Sequence, residues 1–511
     1  MEYPDRLLEF VALVVYLVVL LGIGFRSARQ VRTSIDYTLA GRNIPWIVVL
    51  ATTSATMIGG GASVGMVSRV YEFGIAAALI TCAWHLQLIF FGLWAAPKLR
   101  GLNLITVGDY IDLKYGPLAR ELAVVNCVIF LVGALAAQMA AIGMVTNTLL
   151  GIPYELALLI GAVVTIFYST IGGIRAVIKT DMLQFVILVV GFSAAAALLM
   201  VKNSGFNGML AEVGNQNFEV TGKWSTIKVV SLFFAYLLGE AFVPPYTVRC
   251  FIAKSSQDAR RGVAGGGLFL LLFMPVATFV LGTSALANPE VRQSIQQEKQ
   301  RIHQDAASHG SQVSDEDAEK QALQIALPTL VRVTFHPAFA GVMIAAIIAA
   351  VMSSADSCLA SLSAVVMEDN YRRHVNPAAT DHQLLRVAQW TSFLAGLAAA
   401  VCAFFVRNVA DILVFMYDFW APTMVVPFVV ALFWYHPNRV YAVVASMIVG
   451  LVATVVWGFA LGSPWDIGPA LFGFVAAVVT LFVVLPLTSR LPLGRLFQPA
   501  QQSTLDREET S

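Results

Sequence analysis

Apolar residues run through this chain in long blocks, and the polar residues that interrupt them fall in a few short clusters. About 20 apolar residues in a helix cross the hydrocarbon core of a bilayer. By that measure the blocks predict thirteen transmembrane helices, at roughly 7–25, 46–70, 75–97, 121–149, 154–172, 182–201, 226–247, 262–286, 336–360, 385–406, 409–435, 438–461 and 466–488. Two of these spans are broken from within. The second, "VVLATTSATMIGGGASVGMVSRV", carries Gly59, Gly60 and Gly61 at its centre, where each glycine weakens a helix by about 1 kcal/mol relative to alanine. The seventh, "SLFFAYLLGEAFVPPYTVR", carries Glu240 and then Pro244 and Pro245, which remove two backbone donors. A glycine in a membrane helix often serves packing alone, and one proline a kink alone. Interruptions five spans apart are different: they fit two inverted five-helix repeats whose broken helices line a transport site.

Composition places the chain in a class. Of 511 residues 58% are hydrophobic and 12% charged, which defines an all-α polytopic membrane protein rather than a soluble domain. A net charge of +1 gives no electrostatic reason to bind nucleic acid. The five cysteines show no CxxC spacing, which argues against a disulfide framework or a zinc site. No GxxxxGK[ST] loop occurs and no soluble stretch is long enough to hydrolyse a nucleotide, so the expectation is a transporter, not an enzyme, with no obligate protein partner. The first apolar run has no basic leader and no cleavage site, and reads as a retained span. Most of the 32 lysines and arginines, Arg249 among them, fall in loops on one side if the N-terminus lies outside. That predicts a multi-pass protein of a bacterial inner membrane with a cytoplasmic C-terminus. The loop at 287–335 reads as a charged, helix-prone external excursion, and the tail at 496–511 as disordered.

The ninth span asks for a chemical explanation. In "AAVMSSADSCLASL", at about 100° per residue, Ala350, Ser353, Ser354, Ser357 and Ser361 form one stripe, flanked by Asp356. A lone serine usually bonds back to the preceding helical turn, but four aligned with an acid form a site. An aspartate at a helix centre costs about 2.5–3.5 kcal/mol on insertion scales and needs a partner. Hydroxyls and carboxylates without cysteine or histidine suit a hard cation such as Na⁺. Asp181, in the sixth span, is a second candidate acid, with helix N-terminal capping as its plainer role. Asp418 and Glu240 complete the buried acids. The residues alone thus describe a cation-coupled secondary transporter, with Na⁺ or H⁺ as the coupling ion.

Three motifs add a resemblance. "GGIRAVIKTDMLQ", from Gly172 to Gln184, resembles the GG-x-x-A-V-x-x-T-D-x-x-Q signature of the sodium:solute symporter family. "AAVMSSADS" followed by "EDNYRR", and "LAGRNIPW" before the second span, resemble it too. The family includes transporters for sugars, proline, pantothenate, iodide and choline. The resemblance implies a leucine-transporter-type core in one transmembrane domain over 1–511, with repeats over about 46–201 and 226–435. The spans at 7–25, 438–461 and 466–488 are peripheral to it. It implies a main Na⁺ site made by the carbonyls of Ser54, Met57 and Ala350 and the hydroxyls of Ser353 and Ser354. It also implies a second Na⁺ or proton site around Asp181, Ser353, Asp356 and Ser357. The solute would be contacted by Gly60, Gly61, Trp84, Glu240 and Tyr246. "TSATMIGGG", "SSADS" and the acid of "YDFW" are most similar to the choline-transporter branch, although Met57 and Val243 stand where that branch has tryptophan. An amine, an amino acid or an organic acid remains open as the solute. A membrane sensor of the same fold is a further alternative, as is a passive channel.

Overall fold

The computed structural model describes residues 6–219, 224–308, 312–405 and 409–499, and among them it is helical, with no strand beyond a single bridge between Ile44 and Ala253. Helix α1 spans Arg6–Ala28. The second apolar block divides into α2 (Trp46–Met57) and α3 (Gly61–Phe73), bent by 61°. Next come α4 (Ile75–Gly101), α5 (Pro117–Leu150) and α6 (Tyr154–Lys202). The seventh block divides into α7 (Thr226–Gly239) and α8 (Pro244–Ile252), bent by 41°. After α9 (Ser256–Ala287), the polar helices α10 (Pro289–Ser308) and α11 (Asp315–Leu323) lead to α12 (Pro337–Val375). The bundle closes with α13 (Asp381–Phe405), α14 (Val414–Phe433), α15 (Pro437–Ala460) and α16 (Pro469–Thr488).

Ten of these helices are long and apolar enough to cross a membrane, and the two bent pairs raise that to twelve. Helix α6 differs from the expected pair of spans: its 49 residues form one run with a non-helical residue inside, Gly173 at φ 52°, ψ −153°. At about 1.5 Å per residue such a run is more than twice as long as a hydrocarbon core of ~30 Å is thick. Gly173 is where it turns. A Cβ there would meet the ring and carbonyl of Tyr37, so the positive φ and the close approach both demand glycine.

Both breaks follow from sequence. Three glycines end α2, and in the second pair Phe242 takes φ 66° before Pro244 and Pro245 open α8 at positions where no intrahelical donor is needed. The two interrupted elements are tied at their far ends: Ile44 N donates to Ile252 O (3.1 Å), and Lys254 N to Ile44 O (2.8 Å). Asp258, at the start of α9, accepts from Trp46 N (3.0 Å) and fixes the start of α2. Helix α12 runs through the centre, buried almost throughout from Ala340 to Ala364. It crosses the glycine break so closely that a Cβ on Gly59 would lie 2.5 Å from Ser354 Oγ.

Two loop expectations change. The 287–335 segment is not merely solvated. It folds into α10, α11 and a short helix at Ala326–Thr334, and buries Val291, Ala318, Ala322, Leu323 and Leu327. The start of the tail is also ordered, with Phe497 packed on Tyr441 at 4.5 Å between ring centroids. Residues 500–511 lie outside the described residues.

Candidate solute and cation sites

Where α2 ends, its last carbonyls lose their helical donors. Gly60 N donates to Gln138 Oε1 (2.7 Å) instead of completing the helix, and the carbonyl of Thr56 accepts from Ser354 Oγ (2.6 Å). One residue earlier, Ser353 Oγ lies 2.8 Å from both Ala55 O and Ala350 O. The two serines of α12 therefore meet the frayed end of α2. The carbonyls facing them are those of Ala55 and Thr56. Ser54 O is taken by Ile58 N (3.1 Å), and Met57 turns its sulfur to Tyr246 Oη (2.6 Å). Among the described residues the buried Ser54 hydroxyl has no hydrogen-bond partner; it faces Gly266 of α9. Two serine hydroxyls and the carbonyls of Ala55, Thr56 and Ala350, all uncharged hard oxygens, converge from two helices and make a donor set that fits Na⁺.

The second cluster contains a cation the loop count misassigned. Arg249 is not in a cytoplasmic loop; it is fully buried on α8. One of its nitrogens lies 3.0 Å from Asp181 Oδ2, 2.8 Å from Thr56 Oγ1 and 2.6 Å from Ser357 Oγ. Its other terminal nitrogen donates to Pro245 O (3.3 Å). The Thr52 hydroxyl also donates to Asp181 Oδ2. Asp356 sits beside this group, accepting from Tyr168 Oη at 2.7 Å. It is buried and forms no ion pair among the described residues. Of the four residues expected here, Asp181 and Ser357 share the guanidinium and Asp356 adjoins Ser357, whereas the Ser353 hydroxyl is engaged with Ala55 O and Ala350 O. The signal for Arg249 was its place within the seventh apolar block, one turn after Tyr246 and ahead of the polar "AKSSQD".

A cavity of about 50 Å³ opens at the two breaks, lined by Gly59, Gly61, Trp84, Glu240, Tyr246 and Tyr417 among others. Of the expected solute residues only Gly60 is outside its wall; it packs toward Ala141 of α5, which a Cβ there would meet at 2.6 Å. Glu240 ends α7, with Tyr246 Oη at 2.7 Å from one carboxylate oxygen and Tyr417 Oη at 2.5 Å from the other. Trp84 stands over them, its ring centroid 4.4 Å from Tyr236 and 6.3 Å from Tyr417. Its buried indole N–H has no hydrogen-bond partner among the described residues. Sequence reasoning missed Tyr236, Tyr417 and Gln138. Tyr417 precedes Asp418 in "YDFW", and the acid drew the attention. Asp418 itself caps α16 by accepting from Ala470 N (2.8 Å), and is absent from this cavity's wall.

A carboxylate framed by aromatic rings lies next to hard oxygens at paired helix breaks. The sodium:solute symporter family profile matches residues 37–450, and the chain belongs to that family. It is 24% identical to the sodium/glucose cotransporter of Vibrio parahaemolyticus, over 89% of this chain and 85% of that one. It is 23% identical to the high-affinity proline transporter of Bacillus subtilis, over 91% and 95%, and 24% identical to the high-affinity choline transporter 1 of Caenorhabditis elegans, over 88% and 78%. In fold it is similar to a Na⁺-coupled sialic acid symporter solved in a substrate-bound, outward-open state. The TM-score is 0.79 at 19% identity, covering 97% of this chain and 98% of that one.

Proposed function

We propose that this protein is a sodium-coupled symporter that imports a small solute bearing a positively charged nitrogen. The observation that carries the solute class is Glu240, held by Tyr246 and Tyr417 beside the Trp84–Tyr236 stack. A cation over such rings gains about 0.5–2 kcal/mol, and the carboxylate supplies its counter-charge. Two of the relatives named above transport proline and choline, which both carry such a nitrogen. The cavity as it stands holds little more than a few water molecules, so loading requires the walls to move. Alternating access about the two broken helices supplies that motion. The sodium gradient drives it, with about 2.3 kcal/mol per charge for each 100 mV of potential. Counting the two arms of α6 either side of Gly173 separately gives thirteen spans, with the N-terminus outside a bacterial inner membrane. Spans two to six and seven to eleven make up the repeats.

The test is thermal unfolding of the purified protein in NaCl and in KCl, across choline, betaine, proline, simple amines and uncharged sugars. A ligand at 100 times its Kd stabilises by about 2.7 kcal/mol. The expected result is a rise in midpoint with a cationic-nitrogen compound that requires sodium. A rise with a sugar alone would refute the solute class.

Ser354→Ala should raise the sodium concentration for half-maximal uptake about tenfold or more. The lost hydrogen bond to Thr56 O costs only about 1 kcal/mol of stability. Unchanged sodium affinity in a folded Ser354→Ala protein would remove the main-site assignment. One observation favours a second reading, coupling to H⁺: Asp356 is buried on Tyr168 without an ion pair. Stabilisation by falling pH and none by sodium would select it.

A further inference from the structure

Resting on the sodium-symport reading, we propose that Arg249 is a resident cation that occupies the second cation position permanently, so that the protein couples one sodium ion to each solute. The geometry is that of a filled site. The oxygens a second ion would need come from three helices: Asp181 on α6, Thr56 on α2 and Ser357 on α12. One guanidinium nitrogen already lies within 3.0 Å of all three. Each of these oxygens turns a lone pair toward the guanidinium, and its positive charge repels a metal ion from the same place. Arginine stays charged in any protein environment, so deprotonation does not vacate the position.

The anchoring is specific. Arg249 reaches back to the carbonyl of Pro245 (3.3 Å), at the start of its own half-helix. Thr56 and Ser357 are also within 3.0 Å of each other, so the hydroxyls form a preformed seat. Thr56 is shared with the main site: its hydroxyl faces Arg249 while its carbonyl accepts from Ser354. The fixed charge and the place where sodium would bind therefore meet at one residue of α2, through its hydroxyl and its carbonyl. Among the described residues, Thr56 is the one side chain of the solute cavity's wall that Arg249 hydrogen-bonds, so its role is that of a positioning and coupling residue.

The experiment measures the transport stoichiometry of the wild-type protein in proteoliposomes, from the membrane potential at which net solute flux reverses at set sodium and solute gradients. It is repeated for Arg249→Ala, in which Asp181, Thr56 and Ser357 remain. The solute used is the compound found in the sodium-dependent thermal shift above. The wild type is expected to move one sodium per solute, with a sodium Hill coefficient of one. Arg249→Ala is expected to be less stable in KCl and selectively restabilised by NaCl, with a second sodium bound per protein by ²²Na⁺ equilibrium binding. Two sodium ions per solute in the wild type would overturn the proposal, as would a folded Arg249→Ala protein that still binds one. Loss of all sodium dependence in the wild type would instead refute the symport reading on which it stands.

Discussion

Glu240→Gln is expected to weaken solute binding about a hundredfold or more while leaving the sodium-induced rise in thermal midpoint intact. The substitution keeps the shape of the side chain and removes its charge. Losing one partner of a buried, hydrogen-bonded charge pair costs about 2–5 kcal/mol, and each 1.4 kcal/mol is about a factor of ten. There is also a structural cost. The carboxylate accepts from Tyr246 on one oxygen and from Tyr417 on the other. An amide can accept only through its oxygen, so one tyrosine hydroxyl loses its acceptor, at about 1–3 kcal/mol. The sodium-only shift separates the two effects, because it requires a folded main site. Solute affinity within threefold of the wild type in Glu240→Gln would rule out the carboxylate as the counter-charge.

The second large effect belongs to the Asp181–Arg249 pair. Asp181→Asn is expected to destabilise the protein by about 3–5 kcal/mol, the usual result of leaving one charge of a buried pair uncompensated. The double variant Asp181→Asn with Arg249→Gln is expected to recover much of that loss, since no net charge is then stranded. A double-mutant cycle read by chemical denaturation in detergent measures the coupling directly. If the two single losses simply add in the double variant, the contact carries no coupling energy.

The broad fold was legible because a bilayer enforces a simple rule. Every spanning helix must satisfy its own backbone and present an apolar surface, and thirteen such blocks can be read off one after another. The two breaks were legible for the complementary reason: Gly59–Gly61 and Pro244–Pro245 violate that rule twice, at matching places. The serine stripe was legible from helical spacing, and α12 does present Ser353 and Ser354 to the end of α2. What escaped was whatever depends on a partner far along the chain. Arg249 reads as a loop cation from local sequence, and only the packing of α8 against α2, α6 and α12 makes it a buried one. Tyr417 lies 177 residues from Glu240. Likewise the register of the α2–α12 crossing, set by the absence of a side chain at Gly59, decides which carbonyls meet the serines, and no periodicity encodes it.

Helix α8 has a mechanical consequence. It is nine residues long, too short to bend, and it follows Phe242, whose φ of 66° turns the chain just ahead of it. Tyr246, which touches Glu240, and Arg249, which grips Asp181, stand three residues apart on it, separated by about 4.5 Å along its axis. A rod this short acts as a lever with two loads. Any tilt that drew Tyr246 off Glu240 would also drag Arg249 against its anchors, so the cavity wall and the charged cluster are geared together without any relay through the rest of the bundle.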